Sequence, residues 1–150
     1  MTDPNRNLII DSSGVLHRCF HGYPSRQGAL GGEQIDIHAL RGYMEYVRNL
    51  AREFECERVI HVLDSEGGSQ WRKQAYPAYK ANRSDKDPSF LAQERLLPDV
   101  LDAFGQAWVK IEGQESDDII AALVEMGCKN GDISMVVTQD KDLMQLVDDS

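Results

Sequence analysis

Leu8-Ile9-Ile10-Asp11-Ser12-Ser13-Gly14 is the stretch whose reading decides the fold. Three consecutive apolar residues that stop at an aspartate and a run of small residues describe a buried strand ending in a turn. The same pattern recurs along the chain. Val59 to Leu63 is a second strand; Asp64 follows it, and Gly67-Gly68-Ser69 then breaks the chain. Ala107 to Ile111 is a third, leading through Glu112-Gly113-Gln114 into Glu115-Ser116-Asp117-Asp118. Ile133 to Val137 is a fourth and runs into Thr138-Gln139-Asp140-Lys141-Asp142.

Helical patterns lie between the strands. From Ile35 to Phe54 the apolar residues Leu40, Tyr43, Met44, Val47, Leu50 and Ala51 recur at helical spacing with charges between them. A helix follows from about Phe90 to Phe104, with Pro98 marking a kink or a boundary. Ser116 to Met126 forms another, with Ser116 as N-cap, Asp117 and Asp118 in the first turn, and Ile119, Ile120, Leu123 and Val124 as the apolar face. Asn130-Gly131-Asp132 is a turn, and Leu143, Leu146 and Val147 begin a last helix. Alternation of this kind predicts an α/β fold, a mainly parallel sheet flanked by helices, in one domain over residues 1–150.

Composition agrees with a soluble globular domain. Of 150 residues, 41% are hydrophobic and 27% charged, enough apolar surface for a core. No apolar run approaches the roughly 20 residues that span a bilayer, and the first residues lack the pattern of a secretory signal. Cys19, Cys56 and Cys128 are odd in number and contain no C-x-x-C pair, which suits a reducing, cytoplasmic location. The net charge of −9 argues mildly against a nucleic-acid binder, so the distribution of charge has to decide.

That distribution is uneven. In a parallel sheet all C-terminal strand ends lie along one edge, where ligands bind. Seven carboxylates from four segments are therefore expected to converge: Asp11, Asp64, Glu115, Asp117, Asp118, Asp140 and Asp142. Glu115 and Asp118, three apart, share a helical face. Each carboxylate pair at about 4 Å costs on the order of 1 kcal/mol in water and about 4 kcal/mol at an effective dielectric near 20. Oxygen-only ligands favour Mg²⁺ or Mn²⁺ over Zn²⁺, and a pair of such ions cleaves phosphodiesters by activating water and stabilising the leaving oxygen. Taken singly, each acid has a blander reading as a turn former, a helix-dipole partner or an N-cap; coincidence at all the strand ends together is much harder to accept.

The bases gather elsewhere. Gln70 to Arg83 holds four bases and three aromatics in an otherwise acidic chain. Bases contact phosphates and aromatics stack on unpaired bases. Trp71 reads more simply as packing on the sheet, whereas Lys80 and Arg83 would share one face of a helix and point to function. The four histidines are not spaced as a metal site, and His61 reads as a core or sheet-face residue. Cys19 reads as a small buried apolar group. Gly28, Gly31 and Gly32 lack the Lys and Ser/Thr of a phosphate-binding loop.

These blocks resemble the 5′ nuclease family, the 5′–3′ exonucleases and flap endonucleases that include the N-terminal nuclease part of bacterial DNA polymerase I. The resemblance runs from about Leu8 to Val147 through Leu8 to Ser13, Arg18 to Pro24, Val62-Leu63-Asp64, Trp71-Arg72, Tyr79-Lys80-Ala81-Asn82-Arg83, Gly113 to Ile120 and Thr138 to Val147. It implies a PIN-like nuclease core binding two Mg²⁺ or Mn²⁺ ions. Asp11, Asp64, Glu115 and Asp117 would serve the first metal, Asp140 would lie between the two, and Asp142 would serve the second. Asp118 would act through water or from behind a ligand. Lys80 and Arg83 would polarise the scissile phosphate from an arch over about residues 70–90, Tyr79 would stack on the neighbouring nucleotide, and Arg72 would hold the strand or the arch. The implied substrate is DNA with a 5′ end, flap or branch. The family continues past the position of Ser150 into more metal carboxylates and a helix–three-turn–helix element, so a protein partner or a missing C-terminal domain is expected to complete it. Ser12 stands where Gly is frequent, and Trp71 where Phe is usual. The rival readings are a metal- and DNA-binding module without turnover, and a PIN-type RNase.

Overall fold

The computed structural model describes residues 4–30, 32–65, 70–78 and 86–147, with the side chains of Leu30, Gln70 and Trp71 excepted. Strand β1 (Arg6–Asp11) lies between β4 (Arg58–Val62) and β6 (Ile133–Val137), and β5 (Ala107–Val109) extends the sheet beyond β4. All three pairings are parallel, so the C-terminal strand ends share one edge as expected. A run buried on both faces is what a central parallel strand needs. Leu8 and Ile10 enter the cluster on one face, with α1 (Ser12–Gly22), α2 (His38–Glu53) and α4 (Pro88–Ala103). Ile9 enters the other, with α5 (Ser116–Asn130) and Leu143 of a 3₁₀ helix at Lys141–Leu146. Among the described residues, no helix is long and apolar enough to cross a membrane.

Several local expectations need correction. The residues after Asp11 form no turn: Ser12 opens α1 at once, its Val15, Leu16 and Cys19 packing into the core. Strands β2 (Gln27–Leu30) and β3 (Glu33–Asp36) make an antiparallel hairpin that sequence periodicity missed, and Ile35 belongs to it rather than to α2. Helix α2 has no side-chain cap of its own; Oε1 of the fully buried Gln93, on α4, accepts from the Ala39 and Leu40 N–H groups at 2.9 and 3.4 Å. Helix α4 runs unbroken through Pro98. A proline inside a helix costs about 3 kcal/mol, but burial of Phe90, Leu97 and Leu101 contributes roughly 1.5–3 kcal/mol each and outweighs it. Glu115, not Ser116, is the N-cap of α5, and Gly131 ends that helix in the left-handed conformation, φ 73°. The last helix is 3₁₀, not α, and β5 stops at Val109. A short helix, α3 (Gln70–Ala75), occupies the start of the basic segment.

Candidate active site

Asp11 ends β1 and is the N-cap of α1, which leaves its side chain at the sheet edge, yet buried. Thr138, just past β6, donates its hydroxyl to Asp11 Oδ2 at 2.9 Å. Ser116, first residue of α5, donates its hydroxyl to Asp11 Oδ1 at 3.4 Å and its backbone N–H to Asp64 Oδ1 at 2.8 Å. On the other side the Asp140 N–H donates to Thr138 Oγ1 and the Asp142 N–H to Asp140 Oδ1, both at 2.9 Å. One line of hydrogen bonds therefore runs Asp64–Ser116–Asp11–Thr138–Asp140–Asp142. It joins the C-terminal ends of three strands to the start of α5.

Burial holds the Asp11 carboxyl above the ordinary carboxylate range; the Thr138 hydroxyl opposes this and the charge of Asp64 adds to it. The carboxylate also leans over α1: a Cβ on Gly14 would stand 3.0 Å from Asp11 Oδ2. Glycine thus eases a close approach there, and a Cβ would make the carboxylate give way by a few tenths of an ångström.

The remaining acids meet an internal cation. Arg72, on α3, donates to Glu115 Oε2 at 2.7 Å and to both oxygens of Asp118 at 2.8 and 2.9 Å. Glu115 and Asp118 do share a face, as their spacing requires, and a guanidinium fork suits two carboxylates. Asp117 sits half-buried between them in the first turn of α5, where negative charge favours the helix dipole. Asp140 and Asp142 are exposed. The donors are all oxygen, as Mg²⁺ or Mn²⁺ prefer, and a cation would relieve the repulsion between Asp11 and Asp64. As the side chains stand, no three acidic, imidazole or thiol groups among the described residues are close enough to hold a metal ion. Tyr79, Lys80 and Arg83 lie outside the described residues.

Sequence reasoning missed the linking hydroxyl of Thr138 and the dual role of Ser116. Their signal was position, each directly beside an acid-bearing motif. It also missed three bases, Lys86, Arg95 and Lys110, which line a cleft of about 380 Å³ next to Asp64 and Ser13. These come from separate segments, so no local pattern announces them.

Residues 6–150 match the model of the 5′–3′ exonuclease N-terminal, resolvase-like domain. The chain belongs to this family. It is 30% identical to a 5′–3′ exonuclease of Streptomyces coelicolor, over 95% of this chain and 50% of that protein. It is 31% identical to the thermostable DNA polymerase I of Thermus aquaticus, over 96% of this chain and 17% of the polymerase. The chain thus spans half or less of these relatives. Among solved structures it resembles the D15 protein of bacteriophage T5 co-crystallised with metal ions, with TM-score 0.71 and 21% identity over 97% of this chain and 53% of that one. The T5 D15 flap endonuclease in a complex with DNA and metal ions gives TM-score 0.70 at 17% identity, with the same coverage. At such identities the likeness is one of fold, shared by this 5′–3′ exonuclease-family chain through its α/β core with the parallel sheet order β5-β4-β1-β6.

Proposed function

We propose that this domain hydrolyses DNA phosphodiesters at or near a 5′ end, with Mg²⁺ or Mn²⁺, two ions in all, held at the carboxylate edge. The observation that carries the reading is the hydrogen-bonded line from Asp64 to Asp142 through buried Asp11. Asp11, Asp64, Glu115 and Asp117 would hold one ion, with Asp140 between the two and Asp142 on the second. Bound there, the ions would activate water and stabilise the leaving oxygen.

The chain's own residues do the rest. Ser116 and Thr138 fix the Asp11 carboxylate by one hydrogen bond on each oxygen. Arg72 orients Glu115 and takes Asp118 as its counter-ion. Lys86, Arg95 and Lys110 offer phosphate contacts beside Asp64, although Lys86 also pairs with Glu94. Lys80 and Arg83 are proposed to polarise the scissile phosphate, and Tyr79 to stack on its neighbour.

Cleavage of a 5′-labelled flap oligonucleotide, with Mg²⁺, Mn²⁺ or chelator, beside Asp140→Ala, tests the reading. Metal-dependent product that the variant lacks is expected. A parallel RNA flap separates DNA from RNA specificity. A second reading, a metal- and DNA-binding module without turnover, draws on Arg72 already occupying Glu115 and Asp118. It predicts a rise in Tm with Mg²⁺ and no product from either substrate.

A further inference from the structure

Helices α2 and α4 part over β4 and leave a cavity of about 860 Å³, larger than the cleft beside Asp64. Its walls are apolar: Met44 and Val47 on α2, Val59 on β4, and Val100 and Phe104 at the end of α4. Phe104 is exposed.

Polar groups break that lining, Glu45 and Gln106 among them, and two features set its chemistry. At the inner end lies His61, with no solvent exposure. Its Nδ1 is 2.6 Å from the Tyr43 hydroxyl, which is 2.9 Å from the Ser12 hydroxyl, and Ser12 donates onward to the Ile10 carbonyl at 3.4 Å. The Ser12–Ile10 bond sets one consistent set of directions. If Ser12 donates to Ile10, it accepts from Tyr43, and Tyr43 accepts from Nδ1–H. Neutral His61 then keeps its lone pair on Nε2, a buried atom that makes no well-formed hydrogen bond, with the Gln106 amide of the cavity wall as the polar group acting on the ring. A buried acceptor left in this state costs about 1–3 kcal/mol.

At the mouth stand Arg41, Arg48 and Arg52, all exposed and all lining the cavity. At about 100° per residue, offsets of seven and eleven positions keep them within about 20° of one line along α2. Glu45 lies in the same stripe, yet none of the three arginines is ion-paired among the described residues. A cationic rim on a chain of net charge −9 favours anions at the cavity.

We infer that this cavity is a binding site for an apolar organic acid that carries a hydroxyl or N–H donor at the end opposite its acid group. The donor meets His61 Nε2, the apolar body fills the space between α2 and α4, and the acid group meets the arginine stripe. The volume falls within the range of small-molecule sites, and predominantly apolar walls with few polar groups are their usual composition. The inference is independent of the metal and nuclease reading.

The test uses 12-hydroxydodecanoate below its micellar concentration, followed by amide chemical shifts of the 150-residue chain. Saturable shifts confined to α2, α4 and β4 are expected. The methyl ester, which lacks the charge, should bind at least tenfold more weakly, as should dodecanoate, which lacks the donor. The surface double variant Arg48→Glu/Arg52→Glu should lose the acid to the same degree with its fold unchanged. Ala51→Trp, which fills the cavity, gives a second check that leaves His61 in place. No saturable binding, equal binding of acid and ester, or retention of the acid by both variants overturns the inference. So does tighter binding of dAMP than of the hydroxy acid, which would make this a nucleotide site.

Discussion

Asp11 and Ser12 are adjacent in sequence, and two polar lines leave the sheet from them in opposite senses. From Asp11 the line runs outward along the strand ends and is built of carboxylates. From Ser12 it runs inward through Tyr43 to His61 and is built of neutral groups. Burial explains the difference. An ion in a low-dielectric interior costs several kcal/mol unless paired, so the inward line stays uncharged, and burial pushes the His61 imidazole down to about 4. The outward line ends at exposed Asp140 and Asp142, where water and cations can reach the charge. One strand end thus sets a carboxylate at the sheet edge with its last residue and a neutral, buried hydroxyl with the next.

The sharpest way to break the comparison is to remove charge from the outward line. Asp140→Ala and Asp11→Asn should each lower flap cleavage by about a thousandfold or more, as loss of a group serving a catalytic cation does. Asp11→Asn should also raise Tm by a few degrees at neutral pH, because burial penalises the charged form of its carboxyl. Parallel loss of activity and stability would mean that Asp11 serves the fold rather than the chemistry.

The inward line has a pH signature. The folded His61 binds its proton less readily than the unfolded chain, at about 4 against 6.5. Between those values the unfolded state carries more protons, so stability rises with pH and is lost as pH falls through the window. The loss is on the order of 3 kcal/mol. Tyr43 and Ser12 face the ring as neutral partners, and the Gln106 amide pulls the other way to a smaller extent. Asp11 acts with the opposite sign, because its raised carboxyl gains stability on protonation. Urea denaturation at intervals from pH 7 to 4 checks this, and His61→Asn should flatten the slope. Tyr43→Phe is a gentler break. It leaves Ser12 and His61 Nδ1 without their shared partner and should cost about 1–3 kcal/mol, while cleavage per folded molecule stays unchanged.

Sequence made the outward line readable and hid the inward one. Each acid follows a strand or opens a helix, so strand periodicity and the parallel-sheet rule bring Asp11, Asp64 and Asp140 to one edge without tertiary information. Tyr43 and His61 come from the middle of α2 and of β4, and each matches its element's apolar pattern; nothing local distinguishes an aromatic in the core from one in a hydrogen-bonded relay. Gln93 is hidden for the same reason, a polar residue on α4 whose purpose is the uncapped start of α2. Helix α1 was lost because Ser12-Ser13-Gly14 has turn composition, whereas packing of Val15, Leu16 and Cys19 decides the conformation. The burial of Cys19 was legible, and it pushes the thiol up to about 11.

Arg72 is where the comparison can be sharpened with the smallest effect. Its guanidinium is largely buried against Glu115 and Asp118, although Asp118 keeps over a third of its side-chain surface in water. Breaking a fully buried pair costs about 3–5 kcal/mol and an exposed one about 0–1 kcal/mol; screening at Asp118 puts Arg72→Gln near the lower end, at about 1–2 kcal/mol. The variant takes the guanidinium away from buried Glu115 and from Asp118, so a divalent ion has more repulsion to relieve than in the parent chain. Saturating Mn²⁺ should therefore raise the Tm of Arg72→Gln by more than it raises that of the parent, which thermal denaturation with and without metal measures directly. An equal rise in both proteins would place the ion away from Glu115 and Asp118.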